Sequence, residues 1–274
     1  MNRSALFFFA AIAAGAGLTP AHALESPWVV GTEVDARLLA DHGANAPIRA
    51  GVEIQLKAGW KTYWRYPGDA GVPPRFDWSG SENLAVLEVK WPAPERFVDE
   101  SGAKSIGYHG DIIFPLMVRP IDPARPVRLK LKLDFAVCEK LCVPADAELM
   151  LEIPAGESAP LGLLDEAGRR VPRRISLGDN AGGLAVTRVG LERGAAPQVL
   201  IEGSAPEGSV DLFAEGPDDR WALPLPEKIE SKDGKLRFQL VIDGAPPGGP
   251  PIPSKLVLTL IAGDKAIEVE TPLD

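Results

Sequence analysis

The stretch VRLKLKLDFAVCEKLCVPADAELMLEI, residues 127–153, decides the fold. Val127, Leu129, Leu131, Leu133, Phe135 and Val137 recur at every second position, and Arg128, Lys130, Lys132 and Asp134 fill the places between them. Apolar and charged side chains in strict alternation mark a half-buried antiparallel strand. Residues 147–153 alternate again and are expected to return beside the first run. The chain's 2 cysteines, Cys138 and Cys142, lie between these runs, so the pair is expected at the end of a hairpin. Pro144 has no N–H to donate and is expected to take the chain out of the ladder.

The same period of two recurs outward from this hairpin, at 28–38, 48–56, 84–91 and 112–118, with turn signals such as Pro67-Gly68-Asp69 and Val72-Pro73-Pro74 between runs. The 28 glycines and 27 prolines suit a chain with many turns. Strands at this spacing, without long alternating helices, predict an antiparallel β-sandwich. Near 159–171 the pattern changes. Leu161, Leu164 and Ala167 fit one short helix, and Arg169, Arg170, Arg173 and Arg174, broken by Val171-Pro172, read as a solvated linker. Strands resume at 184–191, 198–202, 210–214, 236–242, 255–261 and 266–270, around a proline- and glycine-rich loop at 243–255. The expectation is an all-β protein: a first sandwich domain at 24–157, a connector with a short helix at 158–182, and a second, smaller β domain at 183–274.

The N-terminus carries Arg3, an apolar run from Ala5 to Leu18, then Ala21-His22-Ala23. This predicts a signal peptide at 1–23, cleaved after Ala23, and a periplasmic mature chain with no membrane span. Disulfides persist in that compartment. A net charge of −9 disfavours phosphate backbones, so no nucleic-acid partner is expected.

Three readings of the cysteine pair stand side by side. As a staple, closing about five residues is worth only about 2 kcal/mol in the chain-entropy account, little for a chain with a full core. As a metal clip, two thiolates suit Cu(I) or half a zinc site, but His42 and His109 are not in the local sequence, Met150 lies on the following strand and Met117 well before the pair. As an exchange couple, a short-loop disulfide at a strand end is accessible and labile. Lys140 inside the loop favours a thiolate and Glu139 opposes it. The spacing is not C-x-x-C and no βαβ pattern surrounds it, so a thioredoxin fold is not expected.

Three further stretches act together: AGWKTYWRYPGDAGVPPRFDW at 58–78, KSIGYHGDIIFPLMV at 104–118 and CEKLCVPADAEL at 138–149. In this order they resemble the N-terminal periplasmic domain of the thiol–disulfide interchange protein DsbD, closest to its ScsB-like branch. The second domain, through VDLFAEGPDDRWALPLPE at 210–227, is more weakly similar to the segment that follows in ScsB-like proteins. The resemblance implies an immunoglobulin-like sandwich whose cysteine pair, Cys138 and Cys142, is the catalytic centre. Cys142 is implied as the attacking residue and Cys138 as the resolving one, with no cofactor and no metal. The family's cap loop falls at 95–102, with Phe97 as a lid and Tyr108 as a further cap or partner contact. The expected partners are a separate membrane thiol reductase as electron donor and periplasmic disulfide-containing proteins as substrates. That expectation arises because the sequence shows neither the family's multi-span membrane domain nor its thioredoxin-like domain. The alternatives are a binding module with a structural disulfide and a copper-handling protein.

Overall fold

The structure is a computed structural model and describes residues 24–41, 47–100, 102–156, 162–194 and 196–273. The expected signal peptide at 1–23 lies outside the described residues, as do His42 and Leu161.

In chain order the first strands are β1 (Leu24–Glu25), β2 (Val29–Val30), β3 (Val34–Asp41), β4 (Ile48–Leu56), β5 (Lys61–Gly68) and β6 (Arg75–Asp77). Then come β7 (Leu84–Val89), β8 (Glu95–Val98), β9 (Lys104–His109), β10 (Asp111–Pro120), β11 (Val127–Cys138) and β12 (Cys142–Ile153). Helix α1 (Gly162–Arg169) follows. The remaining strands are β13 (Arg173–Arg174), β14 (Ala185–Glu192), β15 (Gln198–Ser204), β16 (Val210–Glu215), β17 (Glu227–Lys232), β18 (Lys235–Val241), β19 (Lys255–Ala262) and β20 (Lys265–Pro272).

Two six-stranded sheets form the first sandwich. One runs β1-β3-β4-β10-β7 with β2 on β3, and the other runs β12-β11-β5-β9-β8 with β6 on β11. Their inner faces share one core, in which Leu38, Val52, Phe114, Leu129 and Val137 are buried. This is the immunoglobulin-like arrangement that the resemblance implied. Two four-stranded sheets, β13-β20-β19-β16 and β14-β15-β18-β17, enclose a second core around Leu184, Trp221, Phe238 and Leu258. Helix α1 lies between the two in sequence and buries Leu164 and Ala167. Gly51 on β4 makes its seat, because a Cβ there would stand 2.8 Å from Leu164 Cδ2.

The second sandwich packs against the β5 and β8 region of the first. Phe213 joins the first core and meets the Trp64 ring at a centroid distance of 5.8 Å. The Arg65 guanidinium donates to Glu215 at 2.8 and 2.6 Å and to Glu268 at 2.6 Å. Arg96 donates to Asp211 at 2.9 and 2.6 Å, and the Tyr66 hydroxyl donates to the Leu223 carbonyl.

Three expectations are corrected. Pro144 does not leave the ladder; it pairs with Ala136 inside β12. Cys138 and Cys142 form a close pair, with Cα atoms 4.1 Å apart, as in the non-hydrogen-bonded antiparallel type. Two places along, Pro144 therefore turns its missing N–H to the free edge of the sheet, where nothing is lost. Residues 95–98 are not loop but strand β8, paired with β9 through Phe97 and Ser105. Arg173 and Arg174 are not free linker but a short parallel strand on β20, with Arg174 donating to Glu268 at 2.8 Å.

Candidate functional site: the Cys138–Cys142 hairpin

The alternation in β11 carries on to its end. Phe135 and Val137 face the core, so Ala136 and Cys138 fall on the outer face with Lys130, Lys132 and Asp134. The outer residues are exposed up to Asp134, yet Ala136 and Cys138 are 4% and 7% exposed. Their cover is Tyr63 on β5, which forms a small cluster with them. Behind the ring sits Gly71, with φ of 147°; a Cβ there would lie 2.4 Å from Tyr63 Cδ1. Glycine is thus required twice over at this point, for its backbone and for the ring.

Cys138 opposes Cys142 directly across the β11–β12 hairpin, and the two are disulfide-bonded. Cys142 is exposed, as are Lys140 and Leu141 at the tip, Leu141 by 75%. The two cysteines therefore differ: Cys138 is sheltered under Tyr63 and Cys142 is exposed. The Tyr63 hydroxyl lies 3.0 Å from Cys142 Sγ and, since a disulfide sulfur has no proton, the hydroxyl donates. Burial pushes the Tyr63 pKa up, which keeps the hydroxyl protonated and donating at neutral pH.

Lys61 is the β5 partner of Cys138, and His109 is in turn the β9 partner of Lys61. The Lys61 ammonium stands 5.1 Å from the Phe97 ring centroid and donates to Ser105 Oγ at 3.3 Å. His109 Nδ1 is 3.0 Å from Glu95. Phe97 is half-buried, edge-on to His109 at 6.2 Å, with β9 and β5 between its strand and β11. On the side toward β11 it meets Lys61, whose backbone pairs with Cys138. Tyr108 points the other way. It pairs with Thr62 on the core face, is 2% exposed, and donates its hydroxyl to the Pro92 carbonyl at 2.9 Å. Its expected place at a cap or partner surface is thus corrected by one step of strand parity: His109 faces out and Tyr108 faces in. Among the described residues no three metal-ligating side chains gather into a site.

Tyr63 and Lys61 are the site residues that sequence reasoning missed. Both were visible as part of an aromatic stretch, but nothing local says that residue 61 lies beside residue 138.

This geometry is an asymmetric disulfide at the tip of an edge hairpin, on the outer face of an immunoglobulin-like sheet. Over residues 33–154 the chain matches the family described as thiol:disulfide interchange protein DsbD, N-terminal. Over those residues the match bears out the resemblance read from the three motifs. The DsbD N-terminal family gives the cysteine pair a thiol–disulfide interchange context. A crystal structure of the N-terminal periplasmic domain of ScsB from Proteus mirabilis has the same fold, at a TM-score of 0.70. It is 20% identical, and the match covers 92% of this chain and 99% of that one, so the likeness reaches through both sandwiches. No curated protein matches the chain. Among the described residues no helix is long and apolar enough to cross a membrane.

Proposed function

We propose that the protein is a periplasmic thiol–disulfide exchange protein. It passes electrons from a separate membrane thiol reductase to disulfide-containing periplasmic proteins through Cys138 and Cys142. The observation that carries this reading is the difference between the two sulfurs: Cys142 is exposed and hydrogen-bonded by Tyr63, while Cys138 is sheltered. A structural staple needs no such asymmetry; an exchange couple does, because one sulfur must be reached and the other must wait.

A donor thiolate attacks Cys142 Sγ, and the Cys138–Cys142 bond breaks with Cys138 leaving as a thiolate. The donor's second thiolate then attacks the donor sulfur of this mixed disulfide and releases Cys142 as a thiolate. The donor is now a disulfide, and two electrons have moved to the pair. In the second half, the Cys142 thiolate attacks a substrate disulfide and expels one substrate thiolate. Cys138 next attacks Cys142 Sγ, re-forms the internal bond and expels the second. No cofactor or metal takes part. Phe97, under the Lys61 ammonium, forms the near rim that a partner meets.

In this reading residues 1–23 are a cleaved signal peptide, 24–157 the exchange domain, 158–182 the connector and 183–274 a second domain. The experiment is twofold. The pair's reduction potential, from glutathione equilibration and alkylation, is expected above about −250 mV, in the exchange-competent range. A value below about −300 mV would mark a structural bond and end the proposal. Cys138→Ser is expected to accumulate mixed disulfides on Cys142, and Cys142→Ser is expected to accumulate far fewer.

A further inference from the structure

A cleft apart from the hairpin carries a different chemistry. It is a cleft of about 660 Å³ between the outer face of the first sheet, helix α1 and the connector that leads to the second sandwich. Its floor and walls are apolar: Val89, Trp91, Leu116, Met117, Leu164 and Pro172 line it. Trp91 is held rigid by edge contacts with Phe76 at 5.8 Å and Phe114 at 5.2 Å, so this wall is preformed. Size, apolar lining and position at the junction of two units are those of a small-molecule site.

The polar groups at its margin are unevenly satisfied. Five cations line the cleft, Arg49, Arg65, Lys90, Arg169 and Arg174, against three carboxylates, in a chain whose net charge is −9. Arg49, Arg65 and Lys90 are ion-paired. Arg174 shares Glu268 with Arg65 through one nitrogen only, and its side chain is 78% exposed. Arg169 has no hydrogen bond or ion pair among the described residues, and the Trp91 indole N–H likewise donates to no described group. Asp41 and Glu215, just outside the cleft, also pair with Arg49 and Arg65, so the donors left over are the Arg169 guanidinium, the Arg174 nitrogens that do not meet Glu268, and the Trp91 indole N–H. A guanidinium prefers a planar two-oxygen acceptor.

We propose that this cleft binds a small amphipathic carboxylate, its apolar body against Trp91 and Met117 and its carboxylate at Arg169 and Arg174. Neither cysteine lines the cleft, so the proposal is independent of the exchange reading and survives or fails without it.

Octanoate is the probe, and octyltrimethylammonium, with the same chain and the opposite charge, is its control. Titration calorimetry of the full protein should show saturable one-to-one octanoate binding with Kd at or below about 1 mM, and at least about tenfold weaker binding of the cation. Arg169→Ala, a change at an exposed position, should weaken octanoate about tenfold, as expected for loss of a charged hydrogen bond. Met117→Trp should fill the hollow and remove binding. Absence of saturable heat with octanoate, equal affinity for the cation, or a Kd unchanged in Arg169→Ala overturns the proposal. So does full binding by Met117→Trp.

Discussion

Strand β5 is held differently at its two ends. At Lys61 and Tyr63 it lies beside the disulfide, and among the described residues its one side-chain bond to the sulfur pair is a single hydroxyl donation to the sulfur of the exposed Cys142. At Arg65 and Tyr66 it is fastened to the second sandwich. There a guanidinium only 25% exposed makes three bonds to two carboxylates that are 18% and 9% exposed. One neutral hydrogen bond is worth about 1 kcal/mol net, whereas stranding a buried carboxylate costs several-fold more. The difference teaches how an exchange couple can sit on a rigid sheet. The hairpin tip is left open for a partner, and the strand beneath it is fixed from the far side.

The largest test of this contrast removes the fastening. Arg65→Ala leaves Glu268 and Glu215 with fewer partners in a poorly solvated place, and is expected to cost about 3 kcal/mol. For a chain of this size that lowers Tm by roughly 10 °C in calorimetry. Two sandwiches need not unfold in one step, so the transition that includes the second core is the one to follow. A shift under about 2 °C would mean the far end of β5 is not fastened as described.

Acid probes the same end more gently. Burial works hardest against ionisation of Glu268, but the hydrogen bonds and charges of Arg65 and Arg174 outweigh it, and its pKa lies below the usual carboxylate value. Between the folded and unfolded values the unfolded chain holds the proton more readily, so stability rises with pH there. The contribution is complete above the unfolded pKa of about 4.3 and is lost as pH falls through the folded one. Glu268→Gln is expected to cost about 1–2 kcal/mol near neutral pH and to show a smaller further loss of Tm on acidification than the native chain. An identical acid loss in both proteins would remove Glu268 from the account.

How far the sequence disclosed this arrangement depends on which face a residue serves. β11 was plain because its inner face is apolar and most of its outer face is charged. β5 gave no such signal, since Tyr63 on the outer face and Trp64 on the inner are both covered, with Gly71 against one ring and Phe213 against the other. A strand buried on both sides loses its alternation. The cysteine pair was legible as a hairpin-end couple, but its asymmetry was not. That depends on the pairing of residues 61 and 138, which lie 77 positions apart and are joined only by sheet register. Tyr108 and His109 show the same limit: in a run of six strand residues, a one-place uncertainty exchanges core for surface.

The smallest expected change in stability comes from the open end, and there the chemistry should move instead. Tyr63→Phe keeps the ring between Gly71 and Ala136 and deletes one hydroxyl, so about 1 kcal/mol or less should be lost. In the reduced protein the same hydroxyl can donate to the Cys142 thiolate, and a donor to the charged form favours that form. Its removal is expected to raise the Cys142 thiol pKa and to slow alkylation at neutral pH several-fold. The measurement is iodoacetamide rate against pH, comparing Cys138→Ser with the Cys138→Ser, Tyr63→Phe double variant, so that only Cys142 reacts. Superimposable rate profiles would show that the hydroxyl merely fills space beside the sulfur. A stability loss as large as that of Arg65→Ala would abolish the contrast altogether, because the tip would then be as tightly held as the interface. If reactivity changes while Tm scarcely does, the two ends of one eight-residue strand are separable: one sets where the sulfur sits, and the other sets how readily it reacts.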